Sequence, residues 1–386
     1  MSGIEHIVLF ALLFFLFYLW GIFAYKIKSD LNFWALALIP VSLFSVIVGS
    51  RFGWGADYMF YKFRLEHAFT FKEDQIGFRW LNQGIDIFGL NYVGGYIVYS
   101  FIFITCSVLL VRSYGISSKY MYAFIIPATL LFPTSIIRQG LALSFIFLGL
   151  YFYNKRNWPG IIISLCIAIS IHTSTLITAV MLGAFAYLFR SPFNWKITVP
   201  IYLFVTFFFD VSKVGVLSSY IQMLSLGNQF QSYIDTSDRW FGEDAADEQF
   251  QQGNLALVTS ALFHVAIIYL GYWSIYIKKN HKIVYIYNSV VFGLIFLRAV
   301  FLFEIFKRFA QPLVMLYFVV LGYALFVFLE VPYKTLRRKL DKNKLKNFLK
   351  VKRFFWPIFA CIMLYLIMFW GRFIFLNPKG VFFWDQ

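Results

Sequence analysis

The chain has 386 residues, of which 61% are hydrophobic and 13% are charged, and its mean hydropathy is +0.72. This composition excludes a soluble globular domain and indicates a polytopic membrane protein. The formal net charge is +16, but the basic residues concentrate in one short loop beside an apolar run, which favours anionic lipid headgroups over nucleic acid as their partner.

Apolar runs long enough to cross a bilayer follow one another along most of the chain. A spanning helix needs about 20 apolar residues, and the clear candidates are residues 4–25, 33–50, 93–112, 255–277, 284–303, 309–329 and 354–376. Two longer apolar blocks, 119–153 and 158–190, are interrupted near their centres by FPTSIIRQG (132–140) and SIHTST (170–175). If each block forms two short helices and 196–210 forms another, the chain is an all-α polytopic membrane protein with about twelve transmembrane helices, some short or broken.

The distribution of charge orients these helices. Residues 334–353 carry ten Lys or Arg against one acidic residue, so the basic loop 330–353 is predicted to be cytoplasmic. Alternating outward from this loop keeps the other short basic loops on the same side and places fifteen of the eighteen Asp and Glu outside. We therefore expect one transmembrane domain over residues 1–386, with both termini, an interfacial segment at 51–92 and a loop at 211–254 on the external side.

The stretch SRFGWGADYMFYKFRLE (50–66) is polar and rich in glycine although it directly follows an apolar run. Arg51 and Asp57 lie at the expected bilayer boundary, with Trp54 between them and Tyr58 directly after. Charges at such a boundary are costly unless they are paired or used, and aromatic rings beside a cation and a carboxylate suit a sugar site. The alternative is an interfacial aromatic belt with an arginine that reaches the lipid headgroups.

Later in the external segment, GFRWLNQGIDI (77–87) predicts an amphipathic helix on the membrane surface. Phe78, Leu81 and Ile85 share one face at helical spacing, which we expect to contact lipid. Arg79, next to Trp80, would then point away from lipid.

Polar residues at the two interrupted blocks are further candidates for a site. Arg138 and Gln139 follow Pro133, whose ring disfavours helix continuation, so they are expected at the start of a new helix, where an anion is stabilised. His172 lies at the hinge of the second block, where a neutral imidazole could accept a proton from a sugar hydroxyl. The alternatives are an arginine that reaches the headgroups at a helix end and a histidine that forms structural hydrogen bonds.

Near residue 305 the charges again cluster at the end of an apolar run. Glu304 and Arg308 have the i, i+4 spacing of an ion pair within a helix, and Lys307 with Arg308 could bind phosphate. The three cysteines have no metal-binding spacing, and no phosphate loop, nucleophile elbow or zinc motif is present in the sequence. We expect no metal and no cofactor.

Five short segments in this order resemble the EpsG family of Wzy-type polysaccharide polymerases. They are RFGWGADYMFY (51–61), DQIGFRWLN (74–82), IRQGLALS (137–144), HTSTLI (172–177) and KRFAQPL (307–313). The resemblance implies a fold similar to the GT-C class of membrane glycosyltransferases and a location in the bacterial inner membrane, with the site facing the periplasm. It also implies an inverting transfer of a glycan from undecaprenyl pyrophosphate to the sugar of another lipid-linked repeat unit.

On this resemblance we assign roles to the candidate residues. Arg51, Arg138 and Arg308, with Lys307, would bind the pyrophosphate, and Asp57 or His172 would take the proton from the acceptor hydroxyl. Sugar-binding or supporting roles fall to Trp54, Tyr58, Arg79, Trp80, Gln139 and Glu304. The implied partners are undecaprenyl-pyrophosphate-linked oligosaccharides and a Wzz-like membrane protein that regulates chain length.

Two alternatives remain open. An O-antigen ligase uses the same donor lipid with a different acceptor and needs a similar arginine-lined pocket. A transporter or flippase for lipid-linked oligosaccharides would show inverted repeats and charges near the bilayer midplane, and neither is visible in the sequence.

Overall fold

The structure is a computed structural model that describes residues 3–53, 55, 57–71, 75–209, 254–301, 304–332, 342–375 and 381–382. Within these ranges the chain is helical apart from turns and one pair of short strands. Trp54, most of the expected loop 211–254 and part of the basic loop 330–353 lie outside the described residues.

The first part of the chain forms two long helices and then the shorter elements of the segment 51–92. The elements are α1 (Gly3–Ala24), α2 (Asp30–Gly49), β1 (Arg51–Phe52), α3 (Tyr58–Glu66), α4 (Ile76–Ile87) and α5 (Tyr92–Arg112). Polar side chains fix two of the starts, since Ser29 accepts a hydrogen bond from the backbone N–H of Asn32 and Asn91 accepts one from Gly94. These caps satisfy N–H groups that a helix start leaves without an intrahelical acceptor.

The two long apolar blocks are broken as their sequences predict. The first forms a 3₁₀ turn (Gly115–Tyr120), α6 (Met121–Thr129), the short α7 (Leu131–Thr134) and α8 (Ile137–Lys155), and the second forms α9 (Trp158–Ile171) and α10 (Thr175–Leu188). Pro133 ends α7, and α8 begins only after a bend at 135–136. The breaks therefore lie at the polar residues that the sequence places there.

The remaining elements are α11 (Trp195–Phe207), α12 (Asn254–Ile277), α13 (His281–Ala299), α14 (Glu304–Met315), α15 (Tyr317–Leu325), α16 (Lys342–Phe375) and β2 (Val381–Phe382). A π-helical turn, Phe326–Glu330, continues α15. The apolar run 309–329 is thus divided at residue 316. Residues 342–353, expected in a cytoplasmic loop, are the first turns of α16 and continue directly into a candidate membrane span.

Six helical stretches among the described residues are long and apolar enough to cross a membrane. They are Asp30–Gly49, Tyr92–Arg112, Asn254–Ile277, His281–Ala299, Phe306–Glu330 and Leu345–Gly371, and four shorter apolar helices accompany them. The chain is therefore an all-α, multi-pass membrane protein.

A separate apolar cluster includes residues of α3, α4 and α5. Helix α4 forms as predicted, but Phe78 is 0% exposed and contacts the rings of Tyr61 and Tyr99 at 5.7 and 5.9 Å between centroids. Its neighbour Gly77 packs so closely on Ser170 that a Cβ atom would lie 2.2 Å from the serine hydroxyl. The apolar face of α4 therefore packs on the protein, which corrects the expectation that this face contacts lipid.

The two short strands join residues 51–52, which follow α2, to residues 381–382. Strands β1 and β2 pair antiparallel, with Arg51 opposite Phe382 and Phe52 opposite Val381. Residues 381–382 therefore lie beside the start of the segment 51–92.

Candidate functional site

The two breaks in the apolar blocks lie side by side. Helices α8 and α9 are joined by two residues, 156–157, so they run antiparallel, and the start of α8 lies on the same side as the end of α9. The first carries Arg138 and Gln139 and the second is followed by His172. The fold thus brings together polar residues that are more than thirty positions apart.

His172 is held at the hinge between α9 and α10. Its backbone N–H donates to the carbonyl of Ala168 at 3.0 Å, and its own carbonyl accepts from the Thr175 hydroxyl at 2.6 Å. Burial, followed by the positive charges of Arg138 and Arg308, lowers the pKa of the imidazole from 6.5 to about 3. His172 is therefore neutral at physiological pH, and two arginines from different helices act on it.

Helix α14 supplies the second arginine. The side-chain Nε2 of Gln139 donates to the carbonyl of Arg308 at 2.6 Å, which joins the start of α8 to α14. The ammonium of Lys307 lies 5.5 Å from the centroid of the Phe301 ring. The described structure therefore gathers Arg138, His172 and Arg308, with Lys307 next to Arg308 on the same helix.

Arg51 lies beneath this group and is 1% exposed. Its guanidinium donates to the carbonyls of Pro133 and Thr134 at 2.7 and 3.3 Å and to the carbonyl of Val48 at 2.5 Å. Burial lowers the pKa of Arg51 to about 10, so the side chain is still charged at neutral pH. Because these donors are used on the backbone, the geometry favours a role in holding the break between α7 and α8 over direct contact with phosphate.

A glycine in the segment 51–92 packs against the same break. Gly55 has a φ of +103°, and a Cβ atom there would lie 2.0 Å from the carbonyl oxygen of Thr134. Only glycine fits such a contact without displacement of the backbone. Asp57, two residues further on, occupies the N-cap position of α3 and is half-buried.

The aromatic and supporting candidates are divided among different environments. Tyr58 is 1% exposed, and its ring packs against Phe52 and Tyr96. It is a core residue, which disfavours the expected stacking on sugars.

Trp80 is 63% exposed and lines a depression of about 520 Å³ with the half-buried Arg79. Glu304 is the first residue of α14, but its side chain lies outside the described part of the chain, as does Trp54.

Two further buried polar residues have no role assigned from the sequence. Gln311, one turn after Arg308, has a buried side-chain oxygen without a hydrogen-bond donor among the described residues; its spacing from Arg308 was the available signal. Arg298 is buried and donates to the hydroxyls of Tyr202 and Ser260. These partners come from α11 and α12, and sequence spacing gives no signal for such contacts.

The chemistry of this group suits an anionic ligand. Arginines present planar donors that match phosphate oxygens, and the start of α8 adds the partial positive charge of a helix N-terminus. Among the residues that the structure describes, no three His, Cys, Asp or Glu side chains cluster in a way that could hold a metal ion.

Comparison with known proteins identifies the family. No curated protein and no solved structure matches the chain. The family model described as the EpsG family matches residues 34–335, more than half of the chain, and this range includes every candidate site residue. We conclude that this multi-pass membrane protein belongs to the EpsG family.

Proposed function

We propose that the chain is a membrane glycosyltransferase of the polysaccharide-polymerase type, which transfers a glycan from undecaprenyl pyrophosphate to the sugar of another lipid-linked repeat unit. Membership of the EpsG family suggests a polymerase-like membrane protein, and the substrate and mechanism are our inference. The proposed site faces the periplasm of a bacterial inner membrane, and the proposed fold is similar to the GT-C glycosyltransferases.

One observation carries the proposal. Gln139, next to Arg138 on α8, donates to the backbone carbonyl of Arg308 on α14 at 2.6 Å, and His172 at the α9–α10 hinge lies close enough to both arginines for their charges to lower its pKa. Two arginines beside a neutral imidazole combine an anion site with a proton acceptor. A glycosyl transfer that releases a pyrophosphate needs both of these.

In the proposed step, the acceptor hydroxyl oxygen attacks the anomeric carbon of the donor sugar from the face opposite the pyrophosphate. The bond from the anomeric carbon to the phosphate oxygen breaks, and its electron pair leaves with the pyrophosphate. Arg138, Arg308 and Lys307 offset the negative charge that develops on the leaving group. His172 takes the acceptor proton, and the configuration at the anomeric carbon inverts.

Because the pKa of His172 is low, its strength as a base depends on whether the donor is bound. With a pKa of about 3, the imidazole is a weak base when the site holds no anion. A bound pyrophosphate would offset the charges of Arg138 and Arg308 and so reverse the part of the pKa change that they cause, while the larger part, which comes from burial, would remain. His172 would then be a stronger base only after the donor has bound. Asp57 remains the second candidate for the base.

The other residues support this arrangement. Arg51 positions the break at Pro133 and Thr134 on which the start of α8 depends. Gln139 fixes α8 to α14 through the carbonyl of Arg308. The depression beside Arg79 and Trp80 offers an exposed aromatic face for a sugar of the repeat unit.

The test compares polymer length in cells that carry single variants. We expect Arg138→Ala and Arg308→Ala to abolish chain extension while the protein still inserts into the membrane. Lys196→Ala, which removes an exposed cation at the start of α11, is the matched control and should leave polymer length unchanged. Polymer of normal length from Arg138→Ala would refute the assignment.

Separate Asp57→Asn and His172→Ala variants identify the base. We expect His172→Ala to reduce the rate by about 10²–10⁴-fold, the range for loss of a general base, and Asp57→Asn to retain most activity. If both variants remain active, neither residue is the base, and the proton of the acceptor hydroxyl passes to solvent or to the substrate.

The alternatives predict different products. An O-antigen ligase transfers finished polymer to a lipid A core, so a deletion strain would keep long polymer on the carrier lipid. A polymerase deletion would leave single repeat units. A flippase deletion would leave single repeat units on the cytoplasmic side, where a periplasmic sugar-cleaving probe does not reach them.

A further inference from the structure

A second cationic group lies in a cavity of about 570 Å³ at the other end of the helices that build the candidate site. Arg156, Arg190, His281 and Lys282 contribute to its lining together with Tyr153 and Trp158. None of the residues assigned to glycosyl transfer lines this cavity, so it has no role in the proposed reaction.

The cavity and the candidate site are separated by the length of the helices. Helix α8 carries Arg138 at its start and Arg156 just after its end, and its 19 residues extend for about 28 Å. Helix α9 carries Trp158 at its start and His172 just after its end. Since α8 and α9 run antiparallel, the two cationic groups lie on opposite sides of the molecule.

No acidic partner of the cations in the cavity is among the residues that the structure describes. Arg156, Arg190 and Lys282 form no ion pair within the described ranges, and no Asp or Glu is among the described residues that line the cavity. The Lys282 ammonium is 3.4 Å from the carbonyl of Ser113. Helices α9 and α13 both begin at the cavity, at Trp158 and His281, and add the partial positive charge of two N-termini. The cavity therefore has an excess of positive charge and favours a negatively charged ligand.

Arg156 has an unusual backbone conformation for an arginine. Arg156 caps the end of α8 with a φ of +59°, in the left-handed region, and is the one non-glycine residue with positive φ among the residues that the structure describes. Glycine is the residue that normally fills this position, because a side chain is strained there. Arg156 therefore carries a local backbone strain that glycine would avoid, and its side chain lines the cavity.

The other residues that line the cavity favour a lipid over a free anion. Ile161, Ala186 and Val284 form apolar walls, and Trp158 is 66% exposed at the end of a short apolar helix. Tryptophan prefers the headgroup level of a bilayer, and basic cavities between membrane helices accept phosphate headgroups. A free inorganic phosphate would use the cations but not the apolar walls.

We propose that this cavity binds the headgroup phosphate of an anionic phospholipid from the surrounding bilayer. Arg156, Arg190 and Lys282 contact the phosphate, and the apolar walls contact the first carbons of the lipid chains. The lipid thereby bridges α8, α10 and α13 at the ends away from the candidate site.

The test is thermal unfolding of the purified full-length protein in neutral detergent. We expect dioleoylphosphatidylglycerol to raise the unfolding midpoint by several degrees in a saturable way. Dioleoylphosphatidylcholine and inorganic phosphate at the same concentrations should have little effect. An equal response to phosphatidylcholine, or a full response to inorganic phosphate, would overturn the proposal.

Matched variants separate binding from folding. Arg156→Gly removes the guanidinium and the backbone strain together, so we expect it to fold at least as well as the original chain without lipid. Its dissociation constant for phosphatidylglycerol should rise at least tenfold, and Lys282→Gln should weaken binding in the same direction. Lys196→Ala should keep the full response. Unchanged phosphatidylglycerol binding in Arg156→Gly would refute the assignment even if Lys282→Gln fails to fold.

Discussion

Replacement of Arg51 tests whether this buried arginine holds the fold or binds substrate. The guanidinium donates to the carbonyls of Val48, Pro133 and Thr134, and the side chain is 1% exposed. Hydrogen bonds from a charged donor contribute about 1.5–3 kcal/mol each, and a buried carbonyl left without a donor costs about 1–3 kcal/mol. Because such contributions are not additive, we expect Arg51→Ala to destabilise the protein by about 4 kcal/mol.

Arg51→Lys should have a smaller effect of the same kind. Lysine keeps the charge, but its single ammonium cannot reach Val48 on one side and Pro133 and Thr134 on the other in the planar geometry of a guanidinium. We expect a loss of about 2 kcal/mol, which would lower the unfolding midpoint by several degrees.

The assay is thermal unfolding in detergent, run beside the chain-extension assay. We expect both Arg51 variants to unfold at lower temperature, and to lose activity only in proportion to the folded fraction. Arg138→Lys should instead unfold normally and lose activity. An Arg51→Lys protein with an unchanged midpoint and no polymerisation would refute the positioning role and restore Arg51 as a phosphate ligand.

Three further outcomes follow from the site. Arg138→Gln removes a positive charge beside His172, so the pKa of the imidazole should rise, but only in part, because burial is the largest cause of its low value. Titration of the imidazole by NMR should show this rise, and an unchanged pKa would contradict the contact. Because the unfolded chain protonates His172 near 6.5 and the folded chain only near 3, the stabilisation from the neutral imidazole is present above pH 6.5 and is lost as pH falls toward 3. His172→Gln should flatten that part of a stability curve measured in detergent. Gly55→Ala should lower the unfolding midpoint strongly, because its Cβ would lie 2.0 Å from the Thr134 oxygen; Gly84→Ala, where an added Cβ meets no atom within 4 Å, is the control.

The helical architecture was predictable because apolar length and polar interruption are local properties. The breaks at 132–140 and 170–175 are visible in the sequence as charged and hydroxyl residues inside apolar blocks, and both separate helices in the structure. The division of 309–329 at residue 316 was not predicted, since no polar residue marks it.

The candidate residues could be named from the sequence, but their contacts could not. Arg138, His172 and Arg308 lie near one another because each lies next to a break or a helix end, and their role in a site stays a prediction. In the sequence Arg51 also lies next to a helix end, as Arg138 and Arg308 do. In the structure, however, its guanidinium donates to the carbonyls of Pro133 and Thr134, more than eighty residues away. Contacts at that separation depend on packing, and neither spacing nor charge pattern reports them.

The amphipathic pattern of α4 also has two interpretations. Phe78 and Ile85 share a face, as a surface helix requires, but the same pattern serves a helix that packs on the protein. The closeness of Gly77 to Ser170 decides between them, and this closeness appears only in three dimensions.

The most direct test of the account is a structure with a lipid-linked pyrophosphate bound. We expect the two phosphates within hydrogen-bonding distance of the guanidinium groups of Arg138 and Arg308, with the acceptor side open toward His172. Phosphates that instead lie in the cavity at Arg156 and Lys282, at the opposite end of α8, would contradict the proposed site.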